Sequence, residues 1–306
     1  MYASIDDLLG NSDERFFGSG YRRVKYSWGG LTEPEQTEFL KSRAAVTYPK
    51  DWSRKNDIDQ KPHLSTIDAI ILGIKATKQL MLQSSEVTHD EYRLCKIDVK
   101  AGTVSSEISD DIEITCFNPD YDKSRTHENK ELNYRATVGN LTVTMKYIRD
   151  LYCSQSNEEE SHRYWGSGFH KVAVQLRQLE TDNAKAKAIM HVIPDDDRRS
   201  DFHDRNMPIS IIDVFVAALQ LGQVLVYNID HISRADSNTM WMRNTSIITT
   251  NTAYDTGDGL PISVSVEKAT ILSQKGKFWR TARIRAQVGN TDLCCDVAHQ
   301  LPKVTS

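Results

Sequence analysis

One pattern in this chain occurs twice. Residues 16 to 26 read FFGSGYRRVKY and residues 164 to 174 read YWGSGFHKVAV, while RATVGN at 135 to 140 returns as RAQVGN at 285 to 290. Between each pair lies one long apolar stretch opening as STID or SIID, with its aspartate at Asp68 in the first copy and Asp213 in the second. Three anchors recur in the same order at nearly the same separation. They mark two related units of roughly 150 residues, an ordinary domain size. The expected boundaries are an amino-terminal unit over 1–151, a polar and charged linker over 152–163, and a carboxy-terminal unit over 164–306.

Each unit suggests the same order of elements. After the first GSG, Tyr21, Arg23 and Lys25 alternate with Arg22, Val24 and Tyr26, the period of a first strand. A long polar stretch follows, with YPKDW in one copy and IPDDDRRSDFHDR in the other, and reads as loops or lids. The apolar stretches 64–83 and 209–228 are too long for strands and predict helices. Ile67, Ile70, Ile71 and Ile74 form a stripe on the first, whereas the second is apolar nearly all round, as a helix enclosed by protein would be. Ser65 and Ser210 each stand three residues before an aspartate, the spacing of a capping box.

Strand-like patterns then run over 92–100, 111–118, 133–138 and 141–148, and over 241–250, 261–273, 278–288 and 292–298. Each VGN triplet suits a two-residue hairpin, which wants positive φ. One buried helix followed by antiparallel strands is closed by curling the sheet round the helix. The expected fold class is therefore α+β, a tandem (double) hotdog whose two sheets join edge to edge and so protect their edge strands.

Composition removes several function classes. With 306 residues, 39% hydrophobic and 26% charged, the chain is an ordinary globule, and a scattered net charge of −4 gives no reason to expect a nucleic acid partner. The first residues are acidic and the most apolar stretch, 208–227, is interrupted by Asp213, Gln220 and Gln223, so neither a signal peptide nor a membrane span is expected. A cytoplasmic location follows. Five cysteines without a CxxC spacing predict reduced thiols, and no metal is expected from Asp195 to Asp197, Asp201, His203 and Asp204, which lack a recurring ligand spacing. P-loop, GxGxxG and GxSxG motifs are absent.

The start of the first helix is the place with chemistry in it. His63 stands just outside a helix amino terminus, where unpaired amides and the helix dipole favour negative charge developing on a thioester carbonyl. An imidazole there can serve as general base or acid, with Asp68 or Asp213 as the carboxylate that orients it. Asp213 is the better partner, because Pro208 replaces histidine in the second copy; both aspartates also have the simpler reading of capping-box partners. Ser65, Thr66, Tyr48, Trp52 and Gln220 are the expected substrate contacts. Arg23, with its basic neighbours Arg22, Lys25, Arg54 and Lys55, is read as meeting a phosphopantetheine phosphate or an acidic carrier protein, or as simply solvated.

FFGSGYRRVKY, YPKDW, PHLSTIDAI and WGSGF resemble, over nearly the whole chain, the avirulence D (AvrD) proteins of plant-pathogenic bacteria, the syringolide biosynthesis family. The resemblance implies an enzyme that joins a β-ketoacyl thioester to a pentulose, xylulose, and closes the product to an acylated lactone signal. The SxID helices are more distantly similar to the HPxLLDAxxQ helix of polyketide synthase dehydratase domains, and the double-hotdog plan to that of A-factor synthases. By the dehydratase motif, His63 and Asp68 match its histidine and aspartate and Asp213 matches its second aspartate, while Leu72 or Lys75 stands near its glutamine and Pro208 replaces its second histidine. The alternatives are a dehydratase or hydratase of 3-hydroxyacyl or enoyl thioesters, and a non-catalytic lipid-binding or interaction module. No cofactor is implied beyond the acyl thioester itself, carried on coenzyme A or an acyl carrier protein. The chain is expected to act as a monomer or homodimer.

Overall fold

Thirteen strands form one continuous antiparallel sheet with two helices against its apolar faces. This computed structural model describes residues 2–29, 38–83, 92–103, 111–120, 130–149, 168–194, 209–250 and 259–302. The linker over 152–163, Pro208, Cys153 and the acidic residues from Asp195 to Asp204 lie outside them.

In the first half the strands are β2 (Lys25–Trp28), β3 (Phe39–Thr47), β6 (Tyr92–Lys100), β7 (Ile112–Phe117), β8 (Glu131–Val138) and β9 (Leu141–Arg149). In the second they are β10 (Val172–Thr181), β11 (Lys185–Pro194), β12 (Met240–Thr249), β13 (Leu260–Gln274), β14 (Lys277–Val288) and β15 (Thr291–Gln300). Read from its outer edge, the first half runs β2-β3-β7-β8-β9-β6 and the second β10-β11-β13-β14-β15-β12. The topology is the same in both. The halves join through their matching strands, β6 and β12, with Ile97 opposite Ile247. The result is a double hotdog with its sheets merged at one edge, as expected. A short strand, β1 (Tyr2–Ser4), crosses to the other half and covers the outer edge of β10. A separate two-stranded ribbon pairs β4 (Arg54–Lys55) with β5 (Ile58–Asp59).

A four-residue helix, α1 (Asp6–Leu9), follows β1. The long helices are α2 (Thr66–Gln83) and α3 (Ile211–Asp230), within two residues of the expected spans. Both start at capping boxes: Ser65 N donates to Asp68 Oδ2 at 2.6 Å while Asp68 N donates to Ser65 Oγ at 3.2 Å, and Ser210 and Asp213 do the same for α3. Each helix lies along its own half-sheet, α2 against β3, β6, β7, β8 and β9, and α3 against β10, β11, β13, β14 and β15. Burial of side chains such as Ile67, Leu72 and Phe215 is complete or nearly so, worth roughly 1.5–3 kcal/mol for each. By length and composition α3 could cross a membrane, yet 89% of its apolar window is enclosed by protein.

Two stretches read as loops hold strands, β3 and β11, which complete the sheet in each half. The GSG segment also differs from its expected strand. Residues Gly20–Arg23 form a 3₁₀ turn, and β2 begins only at Lys25. The cause is steric: a Cβ on Gly18 would stand 2.1 Å from the Ser12 carbonyl oxygen, and one on Gly20 2.1 Å from that of Trp52, so the chain doubles back where only glycine fits. The VGN hairpins are two-residue turns as expected, with φ of 55° at Gly139 and 52° at Gly289.

Candidate active site

A cavity of about 740 Å³ opens between the amino end of α2 and one side of α3. The first half supplies Trp52, Ser53, Lys55 and the run His63 to Ile67, and the second supplies Phe215, Gln223, Tyr227 and the run Thr239 to Met242 that leads into β12. A ligand here touches both copies of the repeat.

His63 lies in an aromatic box, 4.7 Å from the Trp241 ring and edge-on to Trp52 at 5.9 Å. Trp52 is held in turn by Phe16 at 5.0 Å, by Tyr48 at 5.1 Å and by a hydrogen bond from its Nε1 to the Gln60 carbonyl at 2.6 Å. Burial lowers the His63 pKa, against a smaller opposing effect from a hydrogen bond to the Lys61 backbone. The ring is therefore neutral at pH 7, the form that accepts a proton. Just beyond it, the Asp68 and Ala69 amides are taken by Ser65, whereas the Thr66 and Ile67 amides have no partner among the described residues. Both residues line the cavity, so the helix offers its two unpaired donors beside the imidazole.

The two aspartates expected to orient His63 do not line this cavity. Asp68 is fully buried and spends its carboxylate on the cap and on two phenols, Tyr26 at 2.7 Å and Tyr48 at 2.5 Å. Burial raises its pKa and these donors oppose the rise. Asp213 is buried at the cap of α3, where Oδ2 accepts from Ser210 and Oδ1 has no hydrogen-bond partner among the described residues. Desolvation pushes its pKa up to about 6, opposed by Ser210 and the Arg22 charge. For both, the simpler capping reading is what the geometry displays.

Of the expected contacts, Ser65, Thr66 and Trp52 line the cavity with His63, and Tyr48, Gln220 and Arg23 do not. Tyr48 stands behind the wall, holding Asp68 and the His63 carbonyl, the latter at 3.2 Å. Gln220 is buried and accepts from Arg15 Nη1 at 2.8 Å. Arg23 pairs through one amino group with both oxygens of exposed Asp51. Lys55, read in the sequence only as one of several basic residues, does line the cavity, and with it come Arg15, Arg234, Arg243, Trp241 and Tyr227, none singled out before. A buried arginine in a loop has no local periodicity to reveal it. Among the described residues no group of three His, Cys, Asp or Glu side chains is arranged to hold a metal.

The family model described as Pseudomonas avirulence D protein (AvrD) matches residues 1–302. This chain belongs to the AvrD family. A comparison of this AvrD-family chain with curated proteins finds no match. Among solved structures it is similar to the tesB protein of Mycobacterium avium subsp. paratuberculosis, at 8% identity and a TM-score of 0.46, covering 89% of this chain and 96% of that one. It is also similar to acyl-CoA thioesterase II TesB2 of Mycobacterium marinum, at 9% identity and a TM-score of 0.40 over 90% and 97% of the two chains. A dehydratase of type I polyketide synthases is similar at 10% identity and a TM-score of 0.33, over 90% and 98%.

Proposed function

We propose that this AvrD-family chain is a biosynthetic enzyme that condenses a β-ketoacyl thioester with a pentulose sugar, xylulose, to form a syringolide-type acylated lactone. The observation that carries the reading is the neutral His63 imidazole beside the two unpaired amides of Thr66 and Ile67 on one cavity wall. The thioester carbonyl takes the amides, which stabilise its oxyanion as the sugar hydroxyl attacks. His63 accepts the hydroxyl proton, the carbon–oxygen bond forms, the carbon–sulfur bond breaks, and the proton passes to the departing thiolate. The carbon between the two carbonyls is already acidic, so the same base then suffices for its addition to the sugar ketone, closing the ring. Coenzyme A or an acyl carrier protein carries the acyl group.

The dehydratase reading asks for a carboxylate opposite the histidine. Among the described residues the cavity lining holds no aspartate or glutamate, which favours condensation. Purified protein given a β-ketoacyl thioester and xylulose is expected to release thiol and yield a product with the mass of the joined acyl chain and sugar. Thiol release no faster than without protein, across a range of chain lengths, defeats this reading.

A further inference from the structure

A chain of net charge −4 has lined this cavity with four cations, Arg15, Lys55, Arg234 and Arg243, and with no carboxylate among the described residues. Arg15 is neutralised, since it is ion-paired with Asp6 and bound to Gln220. Lys55 and Arg234 are not: neither forms an ion pair with a carboxylate among the described residues. Lys55 Nζ donates to the Ser237 carbonyl at 2.9 Å, to Ser237 Oγ at 3.0 Å and to the Asn238 carbonyl at 3.1 Å, all neutral acceptors. Arg234 Nη2 donates to the Glu14 carbonyl at 2.8 Å and reaches Ser53 Oγ at 3.4 Å, while its Nε and Nη1 have no partner among the described residues.

The two cations are also close enough to repel one another. Burial and the Arg234 charge together bring the Lys55 pKa down to about 8. Partly buried like charges that no carboxylate contacts cost stability, and the Glu14 charge offsets only part of the burial at Arg234. A ligand that brings the missing negative charge recovers that cost on binding. We propose that Arg234, with Lys55 as its second positive charge, forms a phosphoryl-binding subsite of the cavity. Two fixed charges and a planar guanidinium with free N–H groups suit a dianionic phosphate better than a monoanionic carboxylate. The phosphate belongs either to the sugar or to the pantetheine arm of the thioester, an assignment of substrates that rests on the function proposed above.

The test measures binding, not turnover, on the whole purified chain. Calorimetry compares xylulose with xylulose 5-phosphate, and pantetheine with 4′-phosphopantetheine. The phosphorylated member of one pair is expected to bind about tenfold tighter or more, which is roughly 1.4 kcal/mol, and that pair identifies the source of the phosphate. Arg234→Gln is expected to bring the preference below about threefold, and Arg234→Lys to retain part of it, because charge survives without the fork. Inorganic phosphate should compete with the preferred ligand in the unmutated protein, a measurement that stands even if a variant does not fold. Equal binding within both pairs, or an unchanged preference in folded Arg234→Gln, overturns the subsite. Tight phosphate-dependent binding without thiol release would sink the condensation reading while leaving the subsite in place.

Discussion

Tyr21 and Phe169, which occupy the same position in the two copies of the GSG repeat, stack on one another with ring centroids 5.9 Å apart and planes 18° from parallel. Their neighbours complete a near-symmetric joint: His170 Nδ1 lies 2.6 Å from the Arg22 carbonyl oxygen, and Arg22 Nη1 donates to the Val172 carbonyl at 3.2 Å. Both rings are fully buried. The repeated motif thus marks where the halves meet. Replacing either ring by alanine should cost about 3–5 kcal/mol in urea unfolding, and a double-mutant cycle should return a coupling of about 0.5–1.5 kcal/mol. A coupling near zero would show that the stack is only shared burial.

Tyr48 and Asp68 predict a second stability effect. Tyr48→Phe removes one of two phenolic donors from a fully buried carboxylate, leaving it short of a partner at the cap of α2. The expected loss is about 1–3 kcal/mol, read as a lower midpoint in chemical unfolding with an unchanged slope.

Asp213 gives the protein a defined pH dependence. Its folded pKa of about 6 stands above the ordinary 3.8, so the folded state binds its proton more tightly than the unfolded chain does. The associated stability is fully present below about pH 4 and is lost as the pH rises through about 6. Relative to the unmutated protein, Asp213→Asn should gain unfolding free energy as the pH rises from 5 to 8, by an amount on the order of 2–3 kcal/mol before any loss at the cap, read in urea unfolding at each pH. A constant difference between the two proteins across that range refutes the shift.

His63 predicts a kinetic effect without a large stability effect. His63→Ala should lower the rate of thiol release by about 10²–10⁴-fold with the melting temperature little changed. Burial holds the imidazole below 6.5, so the rate should fall on the acid side below that value and stay level above it. A folded variant that retains the full rate removes His63 from the chemistry.

Gly20 carries a backbone constraint next to the cavity. A methyl at this position would sit 2.1 Å from the Trp52 carbonyl oxygen, and neither backbone can give way without moving the aromatic box round His63. Gly20→Ala should lose at least about 2 kcal/mol and lower thiol release in the fraction that folds. The Trp52 near-ultraviolet dichroism should change with it.

Which elements are legible in the amino-acid sequence follows from how local their signals are. The capping boxes at Ser65 and Ser210, the apolar helices behind them and the VGN turns are each determined within a few residues, and each is found where expected. β3 and β11 escaped for a physical reason: small or polar side chains, Ser42 and Ala44 between Leu40 and Val46 in one and Ala186 and Ala188 before Met190 in the other, weaken the apolar alternation of their inward positions.

The site was legible only in part. His63 and the amino end of α2 are local, and the cavity does form there. Asp68 and Asp213 fit two roles in the sequence, and nothing short of the burial of their side chains against Tyr26, Tyr48 and Ser210 could choose the cap.

The sequence by itself determined that a module is present twice, what each copy is built from, and that the copies share one topology, because repetition, caps and hairpin turns are properties of short stretches. Tertiary structure alone decided what the cavity holds. Arg15, Lys55 and the stretch from Arg234 to Trp241 come from three distant segments, and their meeting depends on how the two half-sheets merge along β6 and β12 and on the 3₁₀ turns Gly20–Arg23 and Gly168–Lys171 that pack Tyr21 against Phe169. Charge placed by long-range packing leaves no periodic trace in the chain.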